Sequence, residues 1–276
     1  MAEKKNSDKF QATRPGEHQS ADKFKREFAF GVVVLGTEAG CGKTIFMTGL
    51  SAALRDEGFP TRAIKPFVMG NRREAESELA FISSITHTPV NYPIVIIDKP
   101  TAVQEGNWQQ AAMMTTSRQH LTFVEMPGSP ATPIAYELTG AGTVASSWKD
   151  SADFVCDLGL PCILIAKHNK DALEKIMLAA SYLHSREARL VGVGTVETAE
   201  YGAHNELKLT KSELEMAIMT KANAHYLGAI EFSPSISVPR VNQGNLIKVT
   251  AAGIDLLHVL RSLGAPASLT KADSIP

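Results

Sequence analysis

Nine consecutive residues near the start of the chain have the types and the spacing that bind phosphate. They run from Gly36 to Thr44 as Gly-Thr-Glu-Ala-Gly-Cys-Gly-Lys-Thr. Glycines allow backbone N–H groups to turn towards phosphate oxygens, and the N-terminus of a following helix adds the positive end of its dipole. Lys43 can reach the β- and γ-phosphates, and the Thr44 hydroxyl can coordinate magnesium. We therefore predict a nucleotide site whose loop contacts are Gly36, Thr37, Glu38, Ala39, Gly40, Cys41, Gly42, Lys43 and Thr44. The alternative is an ordinary glycine-rich connection, because the strict pattern has glycine where Thr37 stands.

Two further charged residues stand at the ends of predicted strands. Lys65 ends the strand Thr61–Lys65, and Glu125 ends the strand Leu121–Glu125. Parallel sheets bind ligands beyond the carboxyl ends of their strands, so both side chains should face the loop. Lys65 would stabilise charge during transfer, and Thr44 with Glu125 would hold Mg²⁺. The alternatives are a surface lysine and a strand-end acid or helix cap.

Three glutamates follow the second predicted strand. Glu74, Glu76 and Glu78 lie in the helical pattern Arg72–Ile85, and one of them could complete the metal site. Acidic helix faces are usually solvated, so a solvated face is the alternative for all three.

These residues need a sheet that brings strand ends together, and the apolar pattern predicts one. Six apolar runs suit buried strands: Phe28–Leu35, Thr61–Lys65, Leu121–Glu125, Pro161–Ala166, Leu190–Val196 and Ala229–Phe232. Helical patterns fall between them, among them Asp171–Glu187, Lys211–Tyr226 and a final one at Asn245–Leu263. Alternating strands and helices predict a parallel sheet with right-handed crossovers. The predicted fold class is α/β, a three-layer P-loop fold with a mostly parallel central sheet flanked by helices.

The remaining composition bounds the domain organisation and the partners. We expect a flexible polar leader at residues 1–27, one domain at residues 28–264 and a frayed tail at residues 265–276. The net charge of −1 gives no reason to expect nucleic acid as a partner. No apolar run approaches the roughly 20 residues that span a bilayer, and no secretion signal is seen, so we expect no membrane partner and a cytoplasmic location. The three cysteines have no metal-ligand spacing and suggest a reducing compartment.

Taken together, these motifs resemble the dethiobiotin synthetase family. The loop Gly36–Thr44 is similar to the family motif Gly-Thr-Asp-Thr-x-Val-Gly-Lys-Thr, and Lys65-Pro66 matches the family's Lys-Pro. Glu125-Met126-Pro127-Gly128-Ser129 resembles its Glu-Gly-Ala-Gly-Gly, and Leu160–Ile165 resembles its Leu-Pro-Val-Ile-Leu-Val. The resemblance extends from about Phe30 to Phe232, and its specificity is concentrated in the first two motifs.

The resemblance implies an ATP- and Mg²⁺-dependent C–N ligase of biotin biosynthesis. Carbon dioxide would form a carbamate on 7,8-diaminononanoate, the γ-phosphate would activate it, and the neighbouring amine would close a cyclic urea. It implies that Lys43 and Lys65 are catalytic and that the protein is a homodimer. The other implied site residues are Thr44, Glu125 and Glu76 for the metal, Lys65, Met69, Gly128 and Ser129 for the substrate, and Thr195 for the adenine edge.

Several positions depart from the family pattern and leave other functions open. Met69 stands where the family has a serine, Met126-Pro127 replaces Gly-Ala, and Thr195 stands where it commonly has an asparagine. These changes alter substrate and base recognition, so a catalytically degenerate nucleotide-binding protein is one alternative. A ParA/MinD-like ATPase is another, although Glu38 occupies the position of the extra lysine of that class. A related ligase or amidating enzyme with another substrate is a third.

Overall fold

The computed structural model describes eight ranges of the chain, namely residues 31–90, 95–97, 101–102, 105–114, 120–138, 145–197, 209–236 and 242–263. The leader predicted at residues 1–27 and the tail predicted at residues 265–276 lie outside these ranges. Among the described residues, no helix combines the length and the apolar character that crossing a bilayer requires.

Eleven strands are found in the described part of the chain. They are β1 (Gly31–Gly36), β2 (Thr61–Ile64), β3 (Phe67–Met69), β4 (Val95–Ile97), β5 (Thr101–Ala102), β6 (Leu121–Glu125), β7 (Pro133–Leu138), β8 (Ala145–Asp150), β9 (Cys162–Lys167), β10 (Leu190–Val196) and β11 (His225–Ile230).

Eight helices accompany these strands in the same ranges. They are α1 (Lys43–Asp56), α2 (Arg72–Thr86), α3 (Glu105–Met114), α4 (Ser151–Leu158), α5 (Ala172–Ser185), α6 (Lys211–Lys221), α7 (Gln243–Gly253) and α8 (Leu256–Ser262).

Six strands form the central sheet, in the order β11-β10-β9-β1-β6-β2. All five of its strand pairs are parallel. The register sets Val34 opposite Glu125 and Gly36 opposite Ile165, so β6 ends beside the strand that leads into the glycine-rich loop. These six strands correspond to the six apolar runs of the sequence, and the predicted fold class is confirmed.

Two helical layers cover the sheet because successive residues of β1 face opposite sides. Val32 and Val34 belong to a core with Phe46 of α1 and with residues of α7 and α8. Val33 and Leu35 belong to a second core with residues of α4, α5 and α6. The continuous apolar run of β1 is thus explained by burial on both faces.

Three local differences from the sequence expectations have physical causes. The last predicted helix breaks at Ile254, whose extended backbone pairs with Gly228, and Asp255 then caps α8. The sixth strand begins at His225 rather than Ala229, so α6 ends at Lys221. Two small sheets, β3-β4 and β5-β7-β8, were not predicted because their strands are short or lie in segments without a clear alternation of apolar residues.

Candidate functional site

The glycine-rich loop joins β1 to α1 in a conformation that only glycine adopts without strain. Gly42 has φ of 96°, and a Cβ atom there would lie 2.7 Å from Val196 Cβ. A Cβ atom at Gly36 would lie 2.6 Å from Cys41 Sγ and 2.8 Å from Lys43 Nζ. The loop therefore packs its own backbone against β10 and leaves no space for larger residues at these two positions.

The N-terminus of α1 has no side-chain cap, whereas several other helices of the described chain have one. Asn71, Asp150 and Thr210 each form a capping box, at α2, α4 and α6. At α1 the N-cap residue is Gly42, without a side-chain hydrogen bond, and the first turn holds no acidic residue. The N–H groups of this turn and the positive end of the helix dipole are therefore available to an anion.

Lys43 lies folded over the loop. Its side chain is buried, and Nζ donates hydrogen bonds to the carbonyl oxygens of Glu38, at 3.1 Å, and Gly128, at 3.0 Å. The contact with Gly128 joins the loop to the segment that follows β6. Both acceptors are neutral, so a phosphate oxygen is a stronger partner for this ammonium group.

Four side chains converge beside Lys43. Lys65 Nζ donates to Glu78 Oε1 at 2.6 Å and to Glu125 Oε1 at 2.7 Å. Thr44 Oγ1 lies 2.8 Å from the same oxygen of Glu78 and 3.0 Å from the same oxygen of Glu125. Since a hydroxyl has one proton, Thr44 donates to one carboxylate at a time. The ends of β2 and β6, the start of α1 and one face of α2 thus meet at one point.

Burial and charge act in opposite directions on this cluster. Burial favours the neutral amine of Lys65, but Glu125 and Glu78 outweigh it and raise the pKa of Lys65 above its ordinary value. Burial likewise opposes ionisation of Glu78, but the charge of Lys65 and hydrogen bonds from Lys65 and Thr44 lower the pKa of that carboxyl. We conclude that the lysine is an ammonium and that Glu78 is a carboxylate at neutral pH.

The donor set of this cluster fits a hard divalent cation. Glu125 is 1% exposed, and its Oε2 atom has no hydrogen-bond partner among the described residues. A buried carboxylate oxygen without a partner is costly unless a ligand completes it. Mg²⁺ binds through one or two carboxylates together with substrate phosphates, and Thr44 adds a hydroxyl oxygen. No group of three or more His, Cys, Asp or Glu residues suited to a metal occurs in the described ranges, so phosphate oxygens and water would have to supply the other ligands.

A cavity of about 600 Å³ opens over the loop. The phosphate-loop residues in its wall include Gly40, Gly42, Lys43 and Thr44. At one end it is lined by Lys65, Met69, Glu78 and Glu125, together with Pro127 and Gly128. At the other end it is lined by residues at and just after the ends of β10 and β11, among them Val196, Glu197, Phe232, Ser233 and Ile236. Its volume lies in the range of small-molecule sites.

Comparison with known proteins agrees with this geometry. The family model for the AAA domain family AAA_26 matches residues 31–240, which is most of the chain. The ATP-dependent dethiobiotin synthetase BioD of Bacillus licheniformis is 24% identical over 182 residues, covering 59% of this chain and 71% of that protein. BioD of Mycolicibacterium vanbaalenii is 24% identical over 166 residues, covering 59% of this chain and 72% of that protein. The chain belongs to this family as a divergent dethiobiotin synthetase-type member.

Solved structures with low sequence identity are also similar to this dethiobiotin synthetase-type chain. Chloroplast FtsY of Physcomitrella patens gives a TM-score of 0.46 at 10% identity, covering 82% of this chain and 66% of the FtsY chain, slightly less than two thirds of its length. The MinC:MinD cell division protein complex of Aquifex aeolicus gives a TM-score of 0.45 at 11% identity, covering 89% of this chain and 97% of that one.

In this cluster the acid supplied by α2 is Glu78, whereas the sequence suggested Glu76. The buried residues Ala75, Leu79 and Ile82 define the inner face of α2, and Glu78 stands three residues after Ala75, next to that face. Glu76 is exposed, and Glu74 completes the capping box with Asn71. Helical spacing from the apolar residues could have distinguished the three glutamates.

Thr195, the expected base contact, lies away from the cavity. It is fully buried, and its hydroxyl lies 3.0 Å from His168 Nδ1 and 2.9 Å from Tyr226 Oη. The next residue, Val196, has its side chain on the opposite face of β10 and forms the cavity wall. A shift of one residue in a strand exchanges the two faces, which is why the neighbouring residue and not Thr195 lines the cavity.

The other expected loop and substrate residues divide into two groups. Ala39, Gly40, Gly42, Lys43, Thr44, Met69 and Gly128 line the cavity. Gly36, Thr37, Glu38, Cys41 and Ser129 are not among its described lining residues. Cys41 Sγ donates to Ile165 O, and Glu38 forms ion pairs with Lys175 and Lys167. Ser129 is held by a hydrogen bond from its backbone N to Thr132 Oγ1.

Proposed function

We propose that this protein is a dethiobiotin synthetase-like cyclo-ligase driven by a nucleoside triphosphate, as its relatives described as ATP-dependent suggest. Its reaction would form a cyclic urea from 7,8-diaminononanoate and CO₂, with hydrolysis of the nucleotide to the diphosphate and phosphate. The observation that carries the proposal is the position of two ammonium groups on one cavity. Lys43 lies over the phosphate loop, and Lys65 lies at the end of the cavity formed by β2 and β6.

The chain's own residues have distinct tasks in this proposal. The uncapped first turn of α1 would bind the β-phosphate, and Lys43 would leave its carbonyl partners for the phosphate oxygens. Thr44, Glu78 and Glu125 would hold Mg²⁺, which supplies charge neutralisation for phosphoryl transfer when it is bound. Lys65 would then neutralise the carbamate oxygen that attacks the γ-phosphorus. The second amine would attack the carbamoyl carbon, and phosphate would leave with its bonding electrons as the ring closes.

The acceptor end of the cavity is where this chain differs most from the family pattern. Met69 is 43% exposed and lines the cavity, and Pro127 lines it next to Gly128. Both present apolar surface where the family pattern has a serine and an alanine. Gly128 lies close to Lys43 and would line the diamine site. Met126 is fully buried in the core, so it affects the substrate only through the backbone of this turn. A homodimer with the diamine site near its interface is part of the proposal.

One observation favours a second candidate function. The apolar side chains of Met69 and Pro127 suit a nucleotide-binding protein with another acceptor, or with none. The ParA/MinD-like alternative receives less support, because Glu38 is paired with Lys175 on its own chain and is opposite in charge to the lysine of that class.

Release of phosphate tests the proposal and separates the candidates. Purified protein is incubated with ATP or GTP, Mg²⁺ and bicarbonate, with and without 7,8-diaminononanoate. We expect release that requires both the diamine and bicarbonate, together with a product whose mass equals the diamine plus CO₂ minus water. Nucleotide binding without release under any of these conditions would favour the degenerate alternative. Release that depends on DNA or lipid vesicles instead would favour the ParA/MinD-like one.

A further inference from the structure

The end of the cavity beyond β10 and β11 lies away from Lys65, and it differs from the other end in the charged groups that line it. The sheet order places β10 two strands from β1 on one side and β2 two strands from β1 on the other side. With strands about 4.8 Å apart, each end of the cavity lies roughly 10 Å from the loop in the plane of the sheet. Lys65 marks the β2 side, so a nucleotide whose γ-phosphate points towards Lys65 extends its base towards β10.

The charged groups lining this second end are carboxylates in the described chain. Val196 and Ile230 are paired in the sheet, and each is followed by a glutamate, Glu197 and Glu231. Both glutamates line the cavity, and the two lysines that line it, Lys43 and Lys65, belong to the phosphate loop and the β2 side. This end therefore offers hydrogen-bond acceptors to a base.

Glu197 is the better fixed of the two acids. Its backbone N–H donates to Ile230 O at 2.9 Å, and its Oε2 accepts a hydrogen bond from the backbone N of Phe232 at 2.9 Å. The residue is half-buried, whereas Glu231 is exposed. An ionised carboxylate has about four lone-pair positions on two oxygens, so the bond from Phe232 leaves Oε1 and part of Oε2 to accept from a ligand.

The bases differ in what they offer to such a carboxylate. Guanine presents two adjacent donors, N1–H and the N2 amino group, with the separation of two carboxylate oxygens. Adenine and cytosine present one amino donor beside a ring nitrogen lone pair, which a carboxylate repels. A site built to accept two hydrogen bonds discriminates strongly against an analogue that lacks them.

We infer that Glu197 reads the N1–H and N2 amino group of a guanine base, so that the preferred nucleotide of this site is a guanosine phosphate. Phe232 lines the same end and its ring would supply a stacking face, and the Ser233 hydroxyl would supply a donor for O6 of the base. The inference rests on the proposed nucleotide site and determines its base. A preference for guanine would distinguish this chain from its relatives, which are described as ATP-dependent.

Dissociation constants of the nucleoside diphosphates test this inference in the presence of Mg²⁺. Isothermal titration of the full chain with GDP, ADP, IDP and XDP should show GDP binding about tenfold or more tightly than ADP. IDP lacks the N2 amino group and should bind with intermediate affinity. ADP binding as tightly as GDP, or more tightly, would overturn the inference without any variant.

The variant Glu197→Gln provides a readout that a purely structural role would not produce. The amide group of the introduced glutamine can donate a hydrogen bond to the C2 carbonyl of xanthine. XDP should therefore gain affinity while GDP loses it, and the ratio of the GDP and XDP dissociation constants should invert. Glu215→Gln, an exposed acid of α6, should leave the ratio unchanged. An unchanged ratio in Glu197→Gln, or inversion by Glu231→Gln instead, would overturn the assignment to Glu197.

A third measurement, on the variant Lys43→Ala, shows whether the guanine assignment alone is wrong or whether the proposed nucleotide site is wrong as well. Lys43→Ala should weaken all four diphosphates, whatever the base. If ADP binds best and its affinity depends on Lys43, the nucleotide site holds and only the guanine assignment is overturned. If no diphosphate binds, or Lys43→Ala changes nothing, both the nucleotide site and the inference that rests on it are overturned.

Discussion

Lys65 Nζ lies 2.7 Å from Oε1 of Glu125, a carboxylate that is 1% exposed. Glu78 contacts the same ammonium group, and the Thr44 hydroxyl contacts Oε1 of both carboxylates. The lysine therefore occupies the centre of the cluster of side chains that fits a metal. We interpret Lys65 as the cation that compensates these carboxylates until a metal replaces it. Its ammonium group would then be released towards the transferring phosphoryl group and the carbamate.

Replacing Lys65 should reveal this compensation in the stability of the protein. Lys65→Met leaves two carboxylates without their ammonium partner, and removing one member of a buried ion pair typically costs about 3–5 kcal/mol. We expect a decrease of that order in the free energy of unfolding, measured by urea denaturation, and partial recovery in millimolar Mg²⁺. Lys175→Met, which breaks the half-buried pair with Glu38, should cost less than about 1 kcal/mol and show no recovery. Equal losses in the two variants would contradict the interpretation.

The choice of Glu78 over Glu76 can be tested by a matched pair of substitutions on one helix. Glu78→Gln removes a charged metal ligand of the proposed site, and we expect about tenfold weaker Mg²⁺-dependent nucleotide binding. Glu76→Gln changes an exposed carboxylate two residues away and should leave that binding unchanged. Titration of the nucleotide at several Mg²⁺ concentrations measures both. A larger effect from Glu76→Gln would return the metal ligand to the residue that the sequence suggested.

The conformation of the loop makes Gly42 sensitive to a single methyl group. Gly42→Ala should abolish nucleotide binding, because alanine is strained at φ of 96° and its Cβ would overlap Val196. Gly58→Ala is a matched control, since Gly58 has φ of 87° but no atom within 4 Å of an added Cβ. That variant should lose only about 1 kcal/mol of stability and bind nucleotide normally. Normal binding by folded Gly42→Ala would show that the loop does not hold the phosphates.

The pH dependence of unfolding should carry the signature of Glu78. Its pKa in the folded protein lies below the ordinary glutamate value of 4.5, so its ionisation stabilises the fold above that pH. This contribution is lost as the pH falls through the lowered pKa. The stability of the wild type should therefore fall more steeply than that of Glu78→Gln as the pH is lowered below 4.5. Parallel curves for the two proteins, measured by urea denaturation across this range, would show that the carboxylate is not held by Lys65 and Thr44.

The six central strands could be predicted because a doubly covered parallel sheet requires continuous apolar runs, which are visible in a single sequence. The convergence of Lys65 and Glu125 on Thr44 followed from the rule for strand ends. The structure places Glu76 and Thr195 outside the cavity lining for a common reason, since each expectation depended on which face of an element a side chain occupies. Such a choice is set by one residue of register. On α2 the spacing of Ala75 and Leu79 could have indicated it, whereas on β10 it becomes visible only when Val196 is seen against Gly42.

The base end of the cavity could not be predicted from motifs. Glu197 and Phe232 are 35 positions apart, and the hydrogen bond between them exists only because β10 and β11 are neighbours in the sheet. The two small sheets could not be predicted from the sequence for a similar reason. Their strands are short, and β7 and β8 stabilise each other through pairing rather than through an apolar pattern of their own.

A structure of the full chain with Mg²⁺ and a non-hydrolysable nucleoside triphosphate tests the central claim most directly. We expect the triphosphate along the first turn of α1, with Lys43 on its β- and γ-phosphates and the metal on Thr44, Glu78 and Glu125. Lys65 should have left the two carboxylates and should lie within hydrogen-bonding distance of the γ-phosphate. A triphosphate bound elsewhere, or Lys65 turned into solvent with the nucleotide in place, would contradict the account.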